Sequence, residues 1–285
     1  MSSKIKVDTI ENVAGSGNVS LGSGHNLVVP GNVTGQGTLA ITGVSTLTGN
    51  VGIGITPDSI SNGKALQVNR SLINDDDGGS THITQNGYFD SAWKYVENGT
   101  AEKITFGLGA TTFSSATSNS SGADASLTWV NNMVIDANGH ITKPKQPAFM
   151  ARISNPTPMT DLAINTNHTV TFDEEIFDQN ADYNNSNYTF TAPVTGKYHF
   201  DVRLYLLEVP SNTTYVYFQL ATSNRSYLMH INDVDSDQYY DFLQGSILVD
   251  MDANDTAYVY FYQPNGSTTT HIHHQNTYFT GHLVA

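Results

Sequence analysis

The chain has 285 residues, with 12 Lys or Arg against 26 Asp or Glu, for a formal net charge of −14. Nucleic acid and bare anionic membrane are therefore poor partners, because phosphate binding needs clustered basic residues, and the acid excess serves solubility. With no cysteine, disulfides and thiolate sites are excluded, and no run approaches the ~20 apolar residues of a membrane-spanning helix.

Length alone predicts one to two domains. The N-terminal residues carry no apolar h-region, so no secretory leader is expected there. No Phe, Tyr or Trp precedes Tyr88. Large aromatics supply much of a compact core's buried area, so residues 1–87 do not read as a self-sufficient globule. They are not disordered by composition either, since Val, Leu and Ile alternate with Thr, Ser and Asn. Gly-Asn-Val recurs at Gly17, Gly31 and Gly49. Short strands punctuated by glycine predict a fibrous β shaft over 1–63, whose apolar face is buried only when several chains wind together.

Residues 64–145 predict a β-rich collar, intertwined between chains. Asp75, Asp76 and Asp77 with Gly78 and Gly79 form a turn signal, and short strands are expected over 90–96, 103–108 and 126–130. Asn138-Gly139 within Met133-Val-Ile-Asp-Ala-Asn-Gly-His-Ile141 is a strong hairpin signal. Pro144 and Pro147 mark a linker into the remaining residues, 146–285.

In that last part, Val170 and Phe172 alternate with polar neighbours in Thr169-Val-Thr-Phe-Asp-Glu-Glu-Ile-Phe177, the period of a half-buried strand. Tyr188, Phe190 and Ala192 repeat the pattern; Pro193 belongs at a strand margin, and Gly196 permits the turn before Tyr198, Phe200 and Val202. Gly245-Ser-Ile-Leu-Val-Asp-Met-Asp-Ala-Asn-Asp-Thr-Ala-Tyr-Val-Tyr-Phe261 reads as two strands around a tight turn, and Asn276-Thr-Tyr-Phe-Thr-Gly-His-Leu-Val284 as a closing strand.

These three motifs, in this order, resemble the C1q/TNF-like jelly-roll head, although the collagen-like Gly-X-Y stalk of that family is absent. The N-terminal half is similar to bacteriophage tail fibres, through Lys4-Ile-Lys-Val-Asp-Thr-Ile-Glu-Asn12, the run Leu47-Thr-Gly-Asn-Val-Gly-Ile-Gly-Ile-Thr-Pro57 and Ala65-Leu-Gln-Val68. The two resemblances imply an all-β chain, a trimeric shaft and collar followed by a jelly-roll sandwich. They further imply a homotrimeric phage tail fibre, made in the host cytoplasm and carried on the virion. Its N-terminus would meet other tail or baseplate proteins, and its head a bacterial surface glycan or outer-membrane protein.

Recognition is expected from loops over 210–215, 232–241 and 265–276, with Asn212, Asp235, Asp237, Tyr239, Tyr240, His271, His273 and His274 as candidate receptor contacts. His271 and His273 would share one face of a strand. Around a threefold axis, three such pairs would offer six imidazoles to a transition metal. Alignment to the head places them instead in a loop before the closing strand. Asp233, Asp235 and Asp237, followed by Asp241, suit calcium, which some C1q-like heads bind. The spacing fails as an EF-hand, with Gln238 and Gln244 where Gly and Glu are required; a solvated acidic loop is the plainer alternative. Tyr215 and Tyr217, and Tyr258, Tyr260 and Tyr262, alternate onto single strand faces, which predicts core or interface packing.

No Gly-x-Ser-x-Gly, HExxH, P-loop or dinucleotide fingerprint is present. Asp173-Glu174-Glu175 does not supply the two opposed carboxylates of a glycosidase. The reading is a binding protein rather than an enzyme. A structural connector or capping protein, and a glycan depolymerase spike, are the alternatives.

Overall fold

The computed structural model describes residues 47, 49–60, 63–75, 78–156 and 158–285. The 4–12 motif and the glycine repeats at Gly17 and Gly31 lie outside the described residues. The strands described lie within one compact unit, Gly49–Ala285.

The collar holds β1 Val51–Ile53, β2 Lys64–Val68, β3 Ser71–Asp75, β4 Ser80–Gln85, β5 Gly87–Phe89, β6 Trp93–Tyr95, β7 Gly99–Gly107, β8 Ala110–Asn119, β9 Val130–Asp136 and β10 Ile141–Thr142. Eight of them form one sheet in the order β1-β2-β3-β4-β7-β8-β9-β10, and β5-β6 is a separate hairpin. β1 runs parallel to β2, so the collar sheet takes its first strand from before residue 64. The expected strand at 126–130 does not form: β9 starts only at Val130. Leu127 is instead buried against Tyr95, Ala101 and Ala116, with Trp93 and Trp129 packed on that cluster. The β9–β10 hairpin is closed as expected around Asn138 and Gly139. There the Asp136 carboxylate accepts the Asn138 and His140 N–H groups at 2.8 and 2.9 Å, and Gly139 sits at φ 83.

The period of two places different chemistry on the two faces of this sheet. On one face Leu72, Thr84, Lys103, Ser114 and Asn131 are successive cross-strand partners. The β5–β6 hairpin is tied by Asn86, whose side chain donates to Glu97 and Thr100 carbonyls and accepts the Glu97 N–H. On the other face Leu66, Ile73, Ile83, Ile104, Phe113 and Met133 form an unbroken apolar row across β2, β3, β4, β7, β8 and β9. Among the described residues nothing covers Leu66, Ile73 and Ile83, which are 39%, 49% and 42% exposed.

The head comprises β11 Ala148–Arg152, β12 Thr166–Thr169, β13 Glu174–Asp178, β14 Tyr183–Asn184, β15 Thr189–Thr191, β16 Gly196–Val209, β17 Tyr215–Thr222, β18 Ser226–Asp233, β19 Gln238–Met251, β20 Thr256–Gln263 and β21 His271–Leu283. β13-β11-β21-β16-β19 form one sheet and β14-β15-β20-β17-β18 the other, with β12 also paired to β20. The aromatic core between them includes Phe149, Phe190, Phe200, Phe218, Phe261 and Phe279, all essentially without solvent contact. Phe149 stacks on Tyr183 at 4.8 Å and on Phe190 at 5.1 Å, and meets the Phe279 edge at 5.0 Å. Gly281 leaves room for them: a Cβ there would stand 2.6 Å from both Phe149 and Phe200.

Two expectations about strands need correction. The 169–177 pattern is not one strand, because the chain changes sheets within it: β12 pairs with β20, whereas β13 pairs with β11. Val170 and Phe172 are fully buried at this crossing, so their alternation reflects burial between sheets rather than extended pairing. Tyr188 lies at φ 63 in the turn that precedes β15, not on a strand. The two strands around Asn254 are present as expected; β19 and β20 belong to different sheets, so the turn is an arch between layers.

Candidate functional site

Three connections gather at one end of the sandwich: 210–214 after β16, 234–237 between β18 and β19, and 264–270 between β20 and β21. A cleft of about 480 Å³ there is lined by Glu208, Pro210, Asp237, Tyr239, Ser267 and Thr269 among others. Its foundation is Gln263, which continues the inward parity of Ala257, Val259 and Phe261 and is fully buried. The Gln263 amide donates to Thr213 Oγ1 at 2.9 Å, to the Asn265 carbonyl at 2.9 Å and to the Ser267 carbonyl at 3.1 Å. Its carbonyl oxygen accepts the Thr270 hydroxyl at 2.6 Å. A buried amide with its partners in place fixes both loops, since each lost bond would strand a polar group away from water.

The loops also hold one another directly. Asn212 Nδ2 donates to Ser267 Oγ at 3.3 Å, and Asn212 Oδ1 accepts the Ser267 N–H at 3.2 Å. Asn265 Oδ1 accepts both the N–H and the hydroxyl of Thr214. Gly266 stands at φ 100, and a Cβ there would come within 2.3 Å of Thr213 Oγ1, so the position admits only glycine. The Ser211 N–H donates to Asp237 Oδ1 at 2.7 Å, and Ser211 holds the Asp237 carboxyl below the usual carboxylate range.

Asn212 and Asp237 thus both lie in these connections, Asn212 bonded to Ser267 and Asp237 to Ser211. The loop expected over 232–241 is shorter, because Tyr239 and Tyr240 already belong to β19. Both are exposed, at 63% and 60%, and their rings meet edge-on at 4.6 Å. Val234 is buried and anchors the loop, while Asp235 points outward on its exposed side. Asp233, Asp235, Asp237 and Asp241 do not gather. Asp241 accepts from Asn232 at 2.7 Å, Asp237 is taken by Ser211, and among the described residues no group of three His, Asp or Glu could hold a metal within one chain.

The histidines are corrected in place. His271, His273 and His274 lie on β21, not in a loop, and β21 pairs there with β16 through His271 to Leu207 and His273 to Tyr205. His271 and His273 do share the outer face, with Ile272 buried between them. His271 Nδ1 accepts the Asp161 N–H at 3.0 Å, which leaves the ring proton on Nε2, 3.8 Å from the Glu208 carboxylate. The His273 and His274 rings lie 4.2 Å apart. Burial and then the neighbouring His274 push His273 below its ordinary pKa. Immediately beyond, residues 274–277 bulge out as the register with β16 shifts, and Thr277 Oγ1 accepts the Tyr205 N–H at 2.9 Å.

Two aromatic surfaces were not separated by the sequence. On the outer face of the first sheet, Tyr205 stacks on Phe242 at 4.5 Å and on Tyr240 at 5.9 Å, with the Arg203 guanidinium 4.1 Å over Phe242. On the outer face of the second, Tyr217 stacks on Tyr262 at 5.0 Å, and the Tyr260 hydroxyl donates to Gln219 at 2.6 Å. Tyr215, Tyr217, Tyr258, Tyr260 and Tyr262 are half-buried surface residues, not core. Burial parity would have found this: their neighbours Val216, Phe218, Val259 and Phe261 take the interior.

The C1q domain family model matches residues 148–284. A C1q/TNF-like domain therefore forms the C-terminal part of this all-β chain. Among solved structures, the globular domain of zebrafish complement 1qA protein aligns at 16% identity and a TM-score of 0.35, covering 49% of this chain and 98% of that one. Murine APRIL aligns at 11% identity and 0.37, covering 49% and 100%. Eiger TNF from S. frugiperda aligns at 8% and 0.37, covering 50% and 94%. No curated protein sequence matches the chain.

Proposed function

We propose that this chain is the homotrimeric distal tail fibre of a bacteriophage, which adsorbs the virion to its host through the loop end of the head. The observation that carries the reading is the uncovered apolar row of the collar. An antiparallel sheet with one wet face alternates apolar-in with polar-out, and a wet row of Leu66, Ile73 and Ile83 is a face that further copies of the chain would cover. C1q/TNF-like heads commonly trimerise, and the outer-face surface of half-buried Tyr205 with exposed Tyr240 and Phe242 offers the head a matching contact. The tail-fibre assignment leans on the resemblance of the N-terminal motifs. Three copies would bring three loop clusters together, so that weak contacts to a surface glycan or outer-membrane protein add into avidity. The N-terminal residues would join other tail or baseplate proteins of the virion.

Light scattering on the purified full chain should give three copies per particle; a monomer would overturn the assembly. Fluorescently labelled chain should coat host cells and slow virion adsorption. Failure to coat would favour a connector, and release of reducing sugar from host glycan a depolymerase.

A further inference from the structure

The collar holds a cavity of about 280 Å³ on its hairpin-covered face. Its floor is set by register: Asn74, His82, Thr105 and Thr112 are successive cross-strand partners on β3, β4, β7 and β8. Lys103 lies in the next row. Phe89 and Trp93, from the hairpin, form a wall, meeting edge-on at 5.6 Å, and Leu108 is an exposed lip. His82 Nδ1 bonds to Thr105 Oγ1 at 3.0 Å, and its ring stands edge-on to Trp93 at 5.3 Å.

Lys103 is the unusual member. Its ammonium lies 4.3 Å from the Trp93 ring centre and 4.8 Å from that of Trp129, the two tryptophans of the chain. Among the described residues it has no carboxylate partner, although the chain carries 26 acidic residues. Burial alone lowers its pKa to about 8. Indole faces offset part of the cost of a half-buried cation, by about 0.5–2 kcal/mol, but supply no counter-charge. Asn74 gives an independent sign. It is 3% exposed, lines the same cavity, and makes no side-chain hydrogen bond among the described residues. Asn131 Oδ1 takes the Ser114 hydroxyl, and among the described residues its amide N–H groups have no acceptor, so they can donate into the cavity.

We propose that this cavity is a binding site for a carboxylated sugar, a uronic acid residue, with Lys103 meeting the carboxylate and Trp93 stacking on the ring. Both halves of that chemistry are present. Among the described residues the cation lacks an anion and the pocket has no acidic lining, and an aromatic wall faces neutral amides and hydroxyls at Asn74, Thr105, Thr112 and Asn131. The size is near the ~300 Å³ lower end of ligand pockets, which suits one monosaccharide. The inference stands apart from the head's loops and does not rest on the adsorption reading.

Because both tryptophans touch Lys103, intrinsic fluorescence of the full-length protein reports on the site. Titration with D-glucuronate or D-galacturonate should give a saturable change, with glucose inert and acetate much weaker. Lys103→Met, which keeps the stem between the indoles, should weaken the response by about tenfold or more. Leu108→Asp adds a charge at the exposed lip without entering the core and should weaken it several-fold. A flat titration overturns the site; equal responses to glucose remove the role of Lys103; equal responses to acetate remove the sugar.

Discussion

The head and the collar are built from the same element, the antiparallel strand, yet they dispose of their apolar faces differently. In the head, two sheets close on one another and Phe149, Phe200, Phe218, Phe261 and Phe279 all lie between them. In the collar, a single sheet buries small clusters around Leu72, Tyr88 and Tyr95 on one side and leaves the Leu66–Ile73–Ile83 row wet on the other. The head closes its apolar core within one chain, whereas the collar leaves that row uncovered among the described residues.

The strongest way to break this contrast is to charge the row. Ile73→Asp together with Ile83→Asp should dissociate the proposed trimer, seen as a fall in particle mass by light scattering, since each isoleucine that such an assembly would bury contributes up to about 1.5–3 kcal/mol per chain. The head's aromatic near-ultraviolet signal should persist. A purely intrachain role would leave the mass unchanged. Next, Gly281→Ala drives a methyl into Phe149 and Phe200 and should destabilise the head by about 1–3 kcal/mol, measured as a lower melting temperature with the particle mass retained. Gln263→Ala strands the Thr270 hydroxyl and the Ser267 carbonyl and should cost about 1–3 kcal/mol locally. Hydrogen exchange should then quicken over 210–214 and 264–270, and hardly elsewhere.

The smallest effect concerns pH. The folded head disfavours the His273 imidazolium, so its contribution is complete above the ordinary value of 6.5 and is lost as pH falls through the depressed folded value. The head's melting temperature should therefore fall as the pH drops below the ordinary histidine value of 6.5, and His273→Gln should shrink that fall. An unchanged slope in the variant would assign the acid sensitivity elsewhere.

Most of the fold was legible because the signals are local. Alternation marked β15, β16 and β20, and Asn138-Gly139 marked the collar hairpin. Sequence went astray where burial and pairing part company. Val170 and Phe172 alternate because the chain passes between layers, and Leu127 packs into the collar without joining a strand. The loop end was legible in Asn212 and Asp237, which are polar and lie between strands. Gln263 was not, because only its parity on β20 reveals that it points inward. The Lys103 site was equally hidden: it depends on the hairpin folding Trp93 over a row set by the register of four strands, a long-range fact with no local mark.

One consequence follows from the direction of β21. Its Leu283 end adjoins the linker, where the Gln146 amide donates to the Leu283 carbonyl at 2.7 Å and the Leu283 N–H to the Pro147 carbonyl at 3.1 Å. Its His271 end lies among the loops, where Ile272 exchanges backbone bonds with Met159. If the loop end captures a surface, as proposed, tension between it and the linker would run lengthwise along β21 and β11, which is flanked by β13 and β21. Loaded that way, the ladder bonds share the force in shear instead of unzipping one at a time, a geometry that slows mechanical rupture.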